Sequence, residues 1–262
     1  MQYPMREFET ERLSREGREP SKAGLAVERT VEIVVNGRVI LALAALPGME
    51  RELGAGFLSS SGLLRKREGL RGISFDEGTG RIEVEAEVLE EDLEGFRERM
   101  TLGSSCGGAV GERYRALGTE CREKFNLFTT TTRDELLGVF SEFIRLSATY
   151  RETRGVHSAA AYRGRERIAF AEDIGRHNAV DKVLGACFLA GEKTSEMILF
   201  TTGRLTSEVV LKAARHGVPV LASRSVATDA AVGIAREAQL ALVGACTRER
   251  ATVYSAFWRI RK

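Results

Sequence analysis

The chain has 262 residues, 43% apolar and 29% charged, with a formal net charge of +2. This is the balance of a soluble, well-packed protein that can bury a core without disulfides or metals, and the charge is too small to point to nucleic acid. No apolar run approaches the roughly 18 residues of a membrane span and no signal-peptide core opens the chain. A cytoplasmic protein with no membrane or nucleic-acid partner is therefore expected, its four cysteines (Cys106, Cys121, Cys187, Cys246) reduced and too irregularly spaced for an oxidative framework.

Residues 1–24 read as a disordered charged tail, and order is expected from Leu25. Thr30–Val35 and Arg38–Leu43 are strand-like and flank Asn36-Gly37, the strongest short hairpin signal because both residues tolerate positive φ. Pro47-Gly48 opens a short helix through Leu58, and a second hairpin is expected over Ile73–Val88 around Gly78-Thr-Gly80. Residues 25–103 thus form a small α+β domain. Residues 104–131 follow as a flexible Gly/Ser loop and connector, since four glycines and two serines surround Cys106 between Leu102 and Gly111.

From Thr132 to the end, residues 132–262 read as an α/β domain. Thr132 and Glu135 have capping-box spacing, and Leu136, Phe140, Phe143 and Ile144, with Ser147 following, form a helix face. Strands are expected at Val156–Tyr162, Ile168–Ala171, Met197–Thr202, Val218–Ser223, Leu240–Val243 and Thr252–Phe257. Helices are expected after Asn178, over Ser207–His216 and over Thr228–Gln239. Such alternation implies parallel βαβ units with right-handed crossovers and a three-layer architecture.

The densest polar segment is Glu172-Asp-Ile-Gly-Arg-His-Asn-Ala-Val-Asp-Lys182, where seven of eleven side chains are charged or hydrogen-bonding, at a strand-to-helix junction. Open α/β sheets bind ligands beyond the carboxyl ends of their strands, where helix N-termini offer free N–H groups to anions. Arg176 and His177 would face such an anion, and Asp173 could accept from a base or ribose; a capped helix start with local salt bridges is the plain alternative. Thr201-Thr-Gly-Arg-Leu-Thr-Ser207 and Ser223-Arg-Ser-Val-Ala-Thr-Asp229 occupy equivalent places, each with hydroxyls and an arginine suited to phosphate. Of the histidines, His177 is the preferred ligand contact and His157 a possible one. Cys106 is the only cysteine in a glycine-rich loop, flanked by Arg99 and Arg113, which suits a mobile thiolate. Cys187 fits a buried helix face. His157 is followed by Ser158-Ala159 and no C-x-x-C occurs, so the zinc deaminase ligand pattern is missing, and three histidines leave little room for a protein-ligated metal.

Glu172–Lys182, taken with Ser104-Ser-Cys-Gly107, resembles the FdhD/NarQ family of sulfurtransferases required for formate dehydrogenase activity. The resemblance runs from about Glu28 to Ser255 through Val35-Asn-Gly37, Pro47, Glu52-Leu-Gly-Ala-Gly-Phe-Leu58, Gly155-Val-His157, Thr202-Gly-Arg204, Lys212-Ala-Ala214, Ser225-Val-Ala-Thr228 and Leu242-Val-Gly244. It implies a cytidine-deaminase-like C-terminal domain with a smaller partner domain. Cys106 would be the persulfide carrier, taking sulfur from a cysteine desulfurase and passing it to the molybdenum bis(molybdopterin guanine dinucleotide) cofactor, held as bound acceptor before insertion into formate dehydrogenase or a related molybdoenzyme. The acceptor would contact Glu172, Asp173, Gly175, Arg176, His177, Asn178, Gly203, Arg204, Ser225, Thr228 and the stretch Ala245, Cys246, Thr247, Arg248, Glu249, Arg250. A homodimer is expected.

The sequence departs from the family pattern in four places. Ala109 stands where the loop often has a second cysteine, Arg154 where a glycine is usual, Ala227 where proline is usual, and the arginines of 245–250 are shifted. A non-catalytic chaperone that only holds the molybdenum cofactor is the alternative reading.

Overall fold

The computed structural model describes residues 4–94, 96 and 129–262. The first element is not a disordered tail. Strands β1 (Met5–Ser14) and β2 (Gly17–Ala26) form an antiparallel ribbon in continuous register. The charges that suggested disorder pair across the strands: Lys22 Nζ lies 2.8 Å from Glu7 Oε1, and Arg12 lies 3.4 Å from Glu19. Opposite charges facing one another stabilise a two-stranded pair.

Next come β3 (Arg29–Val35) and β4 (Arg38–Ala45), joined through Asn36 and Gly37 at φ 49° and 79° as the hairpin signal requires. With β5 (Leu70–Asp76) and β6 (Arg81–Ala86) they make a four-stranded sheet of order β4-β3-β6-β5, in which β3 and β6 are parallel. Helix α1 (Glu50–Ser61) covers it, packing Leu53, Phe57 and Leu58 against Ile33, Val35, Ile82 and Val84.

The second sheet has the order β13-β12-β11-β10-β8-β9, built from β8 (His157–Arg163), β9 (Glu166–Asp173), β10 (Ile198–Thr201), β11 (Val220–Ser223), β12 (Ala241–Gly244) and β13 (Thr252–Val253). It is mixed rather than wholly parallel. β10, β11 and β12 pair in parallel, whereas β8 is antiparallel to both β9 and β10, because Gly164 closes β8 and β9 into a hairpin. β9 through β12 consequently all point one way, and their carboxyl ends share an edge with the start of β8. The expected last strand is short: Ala256 at φ 46° turns the chain away after Val253. A short parallel bridge pairs β14 (Ile260–Arg261) with β7 (Thr131–Thr132).

Helices cover both faces of this sheet. On one, α4 (Arg176–Ala190), α5 (Ser207–Arg215) and α6 (Asp229–Glu237) bury Val183, Val210 and Ile234 against Leu199, Leu221 and Leu242. On the other, α2 (Arg133–Phe143) stacks Phe140 and Phe143 around Phe200, ring centroids 6.1 and 5.7 Å away. Thr132 caps α2 by accepting from Glu135 N at 3.1 Å, but the Glu135 carboxylate takes the Thr131 hydroxyl instead of closing the box. The helix stops at Phe143, and Ser147, expected beside its face, caps a separate short helix, α3 (Ala148–Thr153), accepting from Tyr150 N at 3.1 Å.

The two sheets are joined through α1 and α4, which cross with almost no side-chain spacer. A Cβ on Gly56 would lie 1.8 Å from Asp181 O, and one on Gly185 would lie 1.8 Å from Glu52 O. Glycine is the residue that lets backbones approach this closely.

Candidate functional site

The run Glu172–Lys182 ends β9 and opens α4 through Gly175, as its strand-to-helix reading expects. Most of its polar groups are already satisfied. Asp173 is fully buried: Oδ2 lies 2.7 Å from Lys182 Nζ and accepts from Leu46 N at 3.1 Å, while Oδ1 accepts from Gly175 N at 2.9 Å and Asn178 Nδ2 at 3.0 Å. Its expected role as an acceptor for a base or ribose is thereby corrected, because the carboxylate has no face left for a ligand. Lys182 and Asn178 also donate to Leu46 O and Ala44 O, at 2.7 and 2.8 Å, tying the junction to the first sheet. Asp181 takes Ser60 Oγ at 2.6 Å and Lys212 Nζ at 2.8 Å, and Glu172 takes the hydroxyls of Ser147 and Thr149. These contacts weld α4 to its neighbours, as buried charges must be paired to be tolerated.

Arg176 and His177 are exceptions. Arg176 packs so closely on Gly203 that a Cβ there would fall 2.7 Å from Arg176 Cβ, and its buried Nε has no hydrogen-bond partner. His177 turns toward α5, with Nε2 3.3 Å from Glu208 Oε2 but without hydrogen-bond geometry. Burial lowers its pKa, opposed by Glu208 and assisted by Arg176.

Beside this junction lies a cavity of about 560 Å³, bounded by α3, the start of β8 and the turns after β9, β10 and β11. Phe143, Ile144, Val156 and Ile174 supply apolar wall; Ser147, Tyr150, Arg154, His157, Ser158, Thr202, Arg224 and Ser225 supply polar groups, and among the described residues no carboxylate lines it. His157, not His177, is the histidine in this cavity. Its Nδ1 lies 3.3 Å from Thr202 Oγ1, which accepts from Ser158 N at 3.0 Å. Burial, and secondarily the Arg176 charge, lowers the His157 pKa, which favours a neutral ring. Arg154 and Arg224 are exposed and form no ion pair among the described residues. The arrangement suits an anionic group attached to a flatter, less polar body.

The remaining expected site residues separate into framework and rim. Ser223 Oγ donates to Gly203 O at 2.6 Å and accepts from Ser225 N at 3.0 Å, locking two turns together. Ala245, at φ 49°, donates its N–H to Ser225 O at 2.8 Å. Thr228 is a helix cap, accepting from Ala231 N at 3.3 Å. Thr247 Oγ1 accepts from Glu249 N and Arg250 N at 3.2 and 3.1 Å, closing a turn on which Arg248, Glu249 and Arg250 are exposed. Arg204 is likewise exposed at the sheet edge.

Cys246 is buried, and burial pushes its thiol up to about 12, as it does that of Cys187. Neither is a nucleophile in this state. Cys106 and its flanking Arg99 and Arg113, together with Ala109 and Cys121, lie outside the described residues.

Tyr150 and Arg154 escaped the sequence reading as binding groups, because their helix is too short to show periodicity and is distant in sequence from the polar run. Arg224 had a signal, its place in a hydroxyl-rich turn after a buried strand.

The architecture and the sequence have known counterparts. A crystal structure from Desulfotalea psychrophila, assigned as a formate dehydrogenase accessory protein, superposes with a TM-score of 0.80 at 29% identity, covering 98% of this chain and 100% of that one. "Sulfur carrier protein FdhD" of Listeria monocytogenes serovar 1/2a is 31% identical over 242 residues, 91% of this chain and 92% of the relative. The Bacillus subtilis protein of the same name is 29% identical over 239 residues, 91% of this chain and 90% of its own length. A sequence model of the FdhD/NarQ family matches residues 26–261, and the chain belongs to that family.

Proposed function

We propose that this protein is a cytoplasmic sulfur carrier that takes persulfide sulfur from a cysteine desulfurase on Cys106 and delivers it to the molybdenum bis(molybdopterin guanine dinucleotide) cofactor. The cofactor is then destined for formate dehydrogenase or a related molybdoenzyme. The observation that carries this reading is the cavity with Arg154, Arg224 and His157 at the carboxyl edge of the sheet, lined by no carboxylate among the described residues, in a chain whose relatives are named sulfur carriers. Guanosine diphosphate ends of the acceptor suit that edge: the arginines match phosphate, the neutral imidazole and hydroxyls match a base or sugar, and the apolar wall matches a ring face. Helices against both faces of the six-stranded sheet support a cytidine-deaminase-like, three-layer C-terminal domain.

In the loading step the Cys106 thiolate attacks the outer sulfur of the donor persulfide. The donor S–S bond breaks, the donor leaves as a thiolate, and the persulfide passes to Cys106. Among the described residues, Cys187 and Cys246 are poor rivals, since both are buried with raised pKa values. Ala109 gives the loop no second thiol, so in delivery the acceptor itself would supply the electron pair that bonds the outer sulfur, the Cys106 S–S bond would break and Cys106 would leave as a thiolate, with no local disulfide formed. Two copies of the chain are expected to act together as a homodimer.

Intact-mass measurement after incubation with a desulfurase and cysteine tests the reading against a holding chaperone. One or more added sulfur atoms, lost on reduction and absent in Cys106→Ser, are expected. A wild-type protein that gains no sulfur while still binding guanine nucleotide would make it a cofactor-holding chaperone.

A further inference from the structure

Arg154 ends α3 with φ 56° and ψ 7°, the left-handed conformation that resists a side chain and that Gly155, the next residue, could have adopted without strain. Its backbone N–H closes the helix on Tyr150 O at 2.9 Å, a bond any residue but proline could make. The guanidinium is therefore not needed to end the helix. It rests over the Tyr150 ring, 5.1 Å from the centroid, and among the described residues it forms no ion pair. Arg224, from the turn after β11, lines the same cavity and likewise forms no ion pair among the described residues. An exposed cation–π contact is weaker than a charge-assisted hydrogen bond, so Arg154 can leave the ring when an anion is offered.

We propose that Arg154 is a specificity-determining latch, held on Tyr150 until a phosphoryl group enters the cavity and then closing on that group opposite Arg224. Backbone strain at a site that over-determines it is where such a device is found. The latch selects phosphorylated ligands over their unphosphorylated counterparts and leaves recognition of the remainder to His157, Thr202 and the apolar wall. It rests on the reading of this cavity as the guanine-nucleotide site.

The test is calorimetry of full-length wild type, Arg154→Gly and Arg154→Lys with GDP, guanosine and inorganic pyrophosphate. Glycine fits the left-handed position, so Arg154→Gly should melt no lower than wild type. It should bind GDP roughly 10- to 100-fold more weakly, the value of one hydrogen bond to a charged group, with guanosine unchanged and pyrophosphate weakened alongside GDP. Arg154→Lys should fall between, keeping the charge without the fork. Equal GDP affinity in wild type and Arg154→Gly would overturn the latch alone. An equal loss for GDP and guanosine would overturn its selectivity for phosphate. Failure of wild type to bind GDP or pyrophosphate would overturn both the latch and the nucleotide reading.

Discussion

Two polar regions meet at the carboxyl edge of the six-stranded sheet, and they differ in whether their hydrogen bonds are already made. In Glu172–Lys182, the buried carboxylate of Asp173 has partners on both oxygens and the Lys182 ammonium reaches across to Leu46. Across the cavity, Arg154 and Arg224 face solvent with no carboxylate partner among the described residues, and burial lowers the His157 pKa. The first region holds the molecule together; the second is left open to a ligand. Dense polarity in a sequence marks a place where hydrogen bonds are concentrated, but only the fold tells which of them remain available.

Removing one partner of the weld gives the largest expected effect. Lys182→Met leaves Asp173 buried and unpaired, and should lower the unfolding free energy by about 3–5 kcal/mol, measured by denaturant titration. A loss below about 1 kcal/mol would show that water reaches the pair. The helix crossing is a second way to break the same region. Gly185→Ala places a Cβ against Glu52 O and should cost about 1–3 kcal/mol. Gly138→Ala, on α2 where nothing lies within 4 Å of the added Cβ, should be neutral or gain up to about 1 kcal/mol. Equal effects at the two glycines would remove close approach as the explanation.

The opposite response is expected on the cavity side. Arg224→Gln should change stability by no more than about 0.5 kcal/mol while weakening GDP binding. A melting temperature that falls with unchanged binding would move Arg224 from the open region to the framework.

The smallest effect is one of pH. His157 has its folded pKa below the ordinary 6.5, so above that value both folded and unfolded rings are neutral and it contributes no pH dependence. As pH falls below 6.5 the unfolded chain takes up the proton first, and stability is lost until the folded value is passed. His157→Gln should make that acid-side loss shallower without abolishing it, since His177 is shifted in the same direction. An unchanged slope would mean that His157 titrates freely.

Local signals in the sequence were sufficient for most elements. Asn36-Gly37, the Thr132 cap and the strand ends expected at Ala171, Thr202 and Ser223, which fall within two residues of those at Asp173, Thr201 and Ser223, all rest on turn chemistry or burial within a few residues, and these were legible. Groups decided by distant partners were not. Asp173 is satisfied by Leu46, 127 residues earlier, and nothing around Asp173 in the chain distinguishes it from a ligand-binding acid. The β1–β2 ribbon was lost for a related reason: its charges read as a solvated tail until their cross-strand register is known. Gly56 and Gly185 belonged to no turn, and their role appears only when α1 and α4 are brought together. Arg154 was visible as an unusual residue before Gly155, but its orientation toward a cavity depends on α3 and the sheet edge together.

The central claim, that one cysteine carries the sulfur, is tested most directly by client maturation. Formate dehydrogenase activity should be measured in cells that lack their own carrier and express wild type, Cys106→Ser or Cys121→Ser. The account predicts that Cys106→Ser abolishes the activity with the fold intact, while Cys121→Ser retains most of it. A folded Cys121→Ser protein as inactive as Cys106→Ser would contradict the single-cysteine handover and require a second thiol in the relay.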